Sequence, residues 1–88
     1  MEDPALDERL RALAHPVRRR LLAACLPAPQ PAGRLVELTA LAPASVSEHL
    51  KVLRKTGLLV LERRGRFRLY ATDPALLREV AAAVAALA

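Results

Sequence analysis

Cysteine occurs once in this 88-residue chain, tryptophan never, phenylalanine and tyrosine once each, and glycine only three times. One cysteine excludes a disulfide framework within the chain and the multi-cysteine zinc ribbons and fingers, and it fits a reducing, cytoplasmic setting. Two aromatic residues are too few for the base-stacking surface of a sheet-type RNA-binding module. Three glycines supply no phosphate-cradling loop, and no nucleophile stands at a readable spacing from a base, so no enzyme is expected. One cysteine and two dispersed histidines make no metal site, and no cofactor is implied. The longest apolar run, Val80 to Ala88, is far short of a membrane span, and the opening Met-Glu-Asp-Pro is acidic where a signal peptide is basic. No targeting segment or membrane contact is expected.

What the chain does have is apolar surface and localised positive charge. It is 53% hydrophobic and carries 14 Lys and Arg against 9 Asp and Glu. The length allows one domain, residues 1–88. A domain of this size buries only roughly 60–65% of its unfolded surface, so covering an apolar face with a second subunit would stabilise it. Charges at the two ends nearly cancel, and the net charge of +5 sits between residues 33 and 70.

Pro4, the acidic pair Asp7-Glu8 and the spacing of Leu6, Leu10 and Leu13 predict a first helix ending near Ala14. His15-Pro16 breaks it and opens a second, striped by Val17, Leu21, Leu22, Cys25 and Leu26. Three prolines between 27 and 31 predict a stiff extended loop. Leu35, Leu38 and Leu41 mark a short third helix, and Pro43 opens a fourth striped by Val46, Leu50 and Leu53 and stopped at Gly57. About three residues join these two helices, which is the helix-turn-helix pattern. Residues 58–71 then read as a hairpin turning at Arg64-Gly65, with Phe67 and Tyr70 in its core, and Asp73-Pro74 caps a closing helix. The expected fold is mainly α with a small β-hairpin wing, a winged helix-turn-helix.

On a wheel of about 100° per residue the fourth helix buries Val46, Leu50 and Leu53 and exposes Ala44, Glu48, Lys51 and Lys55, flanked by Ser47 and Arg54. A plain solvated face would look similar. Here, however, small residues at the start (Ala44, Ser45, Ser47) permit close approach to base edges, while Lys51, Arg54 and Lys55 lie where phosphates would run. Arg63, Arg64, Arg66 and Arg68 crowd four guanidinium groups into the hairpin tip. This combination points to double-stranded DNA. The wing arginines are expected to supply phosphate or minor-groove contacts. Glu48 has two readings: it accepts from a cytosine amino group, or it pairs with Lys51 or Lys55 at helical spacing. His49 sits at the helix margin, within reach of a phosphate. His15 reads as a capping or packing residue, and Cys25 as a buried thiol.

Leu13-Ala14-His15-Pro16-Val17-Arg18 resembles the opening of the arsenic-repressor (ArsR) family of bacterial winged-helix regulators. Residues Ser45 to Leu58 resemble that family's recognition helix, and Gly65-Arg66-Phe67-Arg68-Leu69-Tyr70 its wing. The resemblance runs from residue 6 to 88. It implies a homodimer through the first and last helices that binds an imperfect palindrome and represses transcription until an inducer binds. Many members sense metal through a Cys-x-Cys pair on the third helix, but Arg34 to Leu41 contains no such pair. Others use Asp and His along the last helix, where only Asp73 is present and no His follows His49. A member without the usual metal ligands is implied. Its inducer is a small organic molecule, an oxidant acting on Cys25, or nothing.

The dimer interface is expected from Leu6, Leu10 and Leu13 with Leu77, Val80, Val84 and Leu87, because an alanine-rich last helix with a thin Leu/Val stripe suits close packing and is weak alone. The other class of function is a winged helix used for protein interaction or assembly. It would show an exposed apolar patch on the wing in place of the arginines.

Overall fold

The computed structural model describes residues 2–88. Helices α1 (Pro4–Leu13), α2 (Pro16–Ala24), α3 (Ala32–Thr39) and α4 (Pro43–Lys55) precede the hairpin strands β2 (Leu59–Arg64) and β3 (Phe67–Thr72), and α5 (Pro74–Ala85) closes the chain. A two-residue strand, β1 (Gln30–Pro31), lies before α3. Among the described residues, no helix is long and apolar enough to cross a membrane.

The helix starts follow local chemistry. Asp3 and Asp73 each accept a hydrogen bond from the backbone N–H three residues on, at 3.2 Å, and proline occupies the first position after each. His15 caps α2 in the same way, its Nδ1 accepting from the Val17 N–H at 3.3 Å. Helix α4 ends where Gly57 takes φ +82, a left-handed conformation that glycine adopts without strain. The turn between α3 and α4 places Ala40 at φ 56, where glycine would be easier. Thr39 holds that turn, its buried hydroxyl donating to the Leu35 carbonyl at 2.9 Å and accepting from the Leu41 N–H at 3.4 Å.

The core gathers one stripe from each helix with the inner side of the hairpin. Leu21, Leu35, Leu53 and Leu58 have no exposed surface, and Val46 and Leu59 have 1%. Thr72 is buried among them, donating to the Leu22 carbonyl at 2.7 Å, so the wing is tied to α2. Cys25 is also in this core, and burial pushes its thiol up to about 11 from an ordinary value near 9. At neutral pH it is therefore protonated and shielded, and a poor nucleophile.

Three features differ from the sequence reading. The proline-rich segment is not only a connecting loop: Gln30 and Pro31 pair antiparallel with Tyr70 and Leu69, giving a three-stranded sheet of order β1-β3-β2. The hairpin turns at Gly65-Arg66, since Arg64 pairs with Phe67. Phe67 is not hairpin core but 68% exposed, because the register puts it opposite Arg64 at the tip, beyond the body of the domain, while Tyr70 packs against the core.

Helices α1 and α5 pack together. Between them runs an almost wholly apolar hollow of about 400 Å³ lined by Leu10, Leu13, Leu77, Val80 and Val84. Leu10 and Val84 are 36% and 47% exposed, and Leu87 is 87% exposed. Leu6 is half-buried against the core. Val80 is only 4% exposed, so it serves the core of its own protomer before any second copy.

Candidate nucleic-acid interface

Helix α4 is seated by its buried Val46, Leu50 and Leu53, which leaves Ala44, Ser45, Ser47, Glu48, Lys51, Arg54 and Lys55 exposed. Ala42, at its start, provides no side-chain cap, so the positive end of the helix dipole is open to an anion. Lys51 and Arg54 meet the wing across a groove of about 320 Å³ whose walls also include Ser47, Arg68 and Tyr70. Arg68 thus joins the cations of α4 on one surface. Opposed cations in free solvent repel one another, and a phosphate between them relieves that repulsion.

The four wing arginines do not form one surface. Side chains alternate along a strand, and directly opposed residues share a face. Arg63 pairs with Arg68, two positions beyond Leu61 and Tyr70, on the face that continues toward α4. Arg64 lies on the other face and contacts Glu62 at 3.2 Å. Arg66 occupies the turn. That outer face also carries the exposed Phe67 and Val60. Glu48 makes no ion pair within 4 Å among the described residues, so its helical pairing with Lys51 or Lys55 is not formed.

Residues outside this face hold α4 in place. Arg9 of α1 donates from Nε to the Thr56 carbonyl at 3.1 Å, at the negative end of the α4 dipole. Arg18 of α2 donates from Nε to His49 Nδ1 at 3.2 Å, and the His49 ring lies 4.6 Å from that of His15. Arg20 of α2 donates to the Leu38 carbonyl at 2.9 Å and so ties α3, not α4, to α2. Helical periodicity does not reveal these roles, since each arginine sits on a polar helix face with nothing to mark its partner.

His49 therefore accepts a hydrogen bond through Nδ1 as the neutral ring. Desolvation, then the charges of His15 and Arg18, lower its pKa from the ordinary value. A group with a lower pKa folded than unfolded contributes stability that is present above its unfolded pKa and lost as pH falls through the folded one. Thermal stability is expected to decline as pH drops below about 6.5, and His49→Gln is expected to flatten that decline. An unchanged pH profile in the variant would assign the loss to other groups.

The fold and this face define a winged helix-turn-helix. A family model described as a helix-turn-helix domain matches residues 13–62. The HTH-type transcriptional regulator CmtR of Mycobacterium tuberculosis is 41% identical over 71 residues, covering 81% of this chain. The chain spans 60% of that relative's length. A solved ArsR family transcriptional regulator superposes with a TM-score of 0.83 at 26% identity, covering 94% of this chain and 91% of its own. The homodimeric winged helix-turn-helix DNA-binding domain of a Mycobacterium bovis protein superposes with a TM-score of 0.78 at 18% identity, covering 99% and 87%, a likeness of fold. The chain belongs to the helix-turn-helix family and, within it, to the ArsR-type winged regulators.

Proposed function

We propose that this domain binds double-stranded DNA sequence-specifically as a homodimer and represses transcription from a palindromic operator, without the family's usual metal control. The observation that carries this reading is the convergence of Lys51 and Arg54 of α4 with Arg68 of β3 beside the small, exposed start of the helix. Small residues admit the base edges, and the cations neutralise the phosphates on either side. Ala44, Ser45, Ser47 and Glu48 face the bases in this arrangement, while Lys51, Arg54, Lys55, Arg63, Arg66 and Arg68 meet the backbone. Arg64 reaches DNA only by leaving Glu62, and His49 acts mainly by holding Arg18. The apolar hollow between α1 and α5 supports the dimer.

Selection from a random duplex library tests the reading. Enrichment of a palindrome with half-sites centred about 10–10.5 base pairs apart, or a multiple of that, is expected. Uniform, salt-dependent binding without enrichment would turn attention to a protein-interaction role, for which Phe67 and Val60 on the outer wing are the exposed apolar residues.

Glu48 is the specificity residue in this proposal. A carboxylate facing DNA repels phosphate, and with no cation paired to it a cytosine amino group is the partner that offsets that repulsion. Glu48→Gln is expected to relax discrimination at one symmetric pair of positions by about 1–3 kcal/mol per contact. A uniform rise in affinity with an unchanged preferred sequence would remove Glu48 from base reading.

A further inference from the structure

A second hollow adjoins the basic groove. It measures about 350 Å³, lies between the start of α3, the α4 face and β3, and is lined by Gly33, Val36, Pro43, Val46, Leu50 and Tyr70. Ser47, Leu50 and Tyr70 line both spaces, which places the two side by side. One end is almost wholly apolar, and the other ends on Lys51, Arg54 and Arg68. Glu48, the acidic residue of α4, is not among the residues lining either space. An apolar chamber with a few convergent polar groups is the usual form of a small-molecule site, and three cations at its mouth select for negative charge.

We infer that this composite groove binds a small amphipathic organic anion, an aromatic or aliphatic carboxylate. Its apolar body enters between α3 and α4, and its carboxylate meets Lys51, Arg54 and Arg68. The inference rests on the DNA-binding reading, because the same three cations are assigned there to phosphates. Ligand and DNA then compete for one set of charges, and occupation releases the operator without any rearrangement of the fold. Arginine suits both ligands, since its planar fork pairs with carboxylate and phosphate alike.

The test uses 2-naphthoate as probe, with acetate at equal ionic strength as the control lacking an apolar body. Naphthoate is expected to shift the amide resonances of Gly33, Val36 and Tyr70 saturably in the DNA-free protein. At ten times its dissociation constant it is expected to weaken DNA binding about 11-fold for each subunit that must be empty. Gly33→Leu provides the separating variant. Gly33 lines the hollow, and a Cβ there meets nothing within 4 Å, so a larger side chain can be placed at the rim without displacing its neighbours. This variant is expected to bind DNA like the parent and to resist naphthoate.

Equal weakening by acetate, equal sensitivity of Gly33→Leu, or the absence of saturable shifts at those three amides would overturn the inference. The shifts in the parent protein decide the matter even if Gly33→Leu folds poorly. Failure to bind any DNA would defeat the functional proposal while leaving the resonance shifts as an independent reading of the groove.

Discussion

Leu10→Glu combined with Val84→Glu is expected to leave a folded monomer and to weaken binding to a palindromic operator by about 10²- to 10⁴-fold, the gain that linking two binding modules ordinarily supplies. Both side chains border the hollow between α1 and α5, and both remain partly exposed in the protomer. A carboxylate at either position stays hydrated in a monomer and costs the fold little. Inside a twofold interface it must lose water without gaining a partner, which is expensive. Binding to a single half-site should change far less, since neither Leu10 nor Val84 borders the groove between α4 and the wing. Sedimentation velocity with titrations on palindrome and half-site measures both effects. A variant that remains dimeric would place the interface elsewhere, and a parent protein that sediments as a folded monomer at micromolar concentration would overturn the dimer itself.

Leu53→Ala is expected to lower the free energy of unfolding by about 2–5 kcal/mol, the range for truncating a fully buried leucine. Leu53 has no exposed surface and sits on the stripe by which α4 is held to the core. Small domains have roughly 5–15 kcal/mol in total, so much of the molecule's stability depends on this seat. Losing it loosens the helix that carries the proposed DNA-binding face. Leu38→Ala is the comparison: Leu38 is 44% exposed, and its truncation removes much less buried surface and leaves no closed cavity. Urea unfolding of the two variants beside the parent gives the difference, and similar midpoints for both would contradict this account of the core.

The seating of α4 was legible before any coordinates because Val46, Leu50 and Leu53 recur at helical spacing and Pro43 and Gly57 bracket them. Capping by Asp73 was equally local, and His15 was legible as a capping or packing residue, whereas the cap at Asp3 emerged only from the structure. Strand β1 was not, because two residues beside prolines carry no alternation that marks a strand, and their pairing with Tyr70 and Leu69 spans some forty positions of chain. Phe67 shows the same limit. An aromatic residue in a hairpin ordinarily packs inward, and only the register, fixed by the Gly65-Arg66 turn, puts it on the outer face.

By itself the sequence determined the order of elements, the exposed side of α4, the concentration of charge between residues 33 and 70, and the family resemblance. Each depends on spacings of a few residues or on composition, which the chain carries whether folded or not. Tertiary structure alone decided which charges share a surface. It brought Arg68 to Lys51 and Arg54, turned Arg64 toward Glu62, and set Arg9 and Arg18 against α4. Those pairings depend on strand register and helix packing, and both are settled only when all the apolar stripes are buried together.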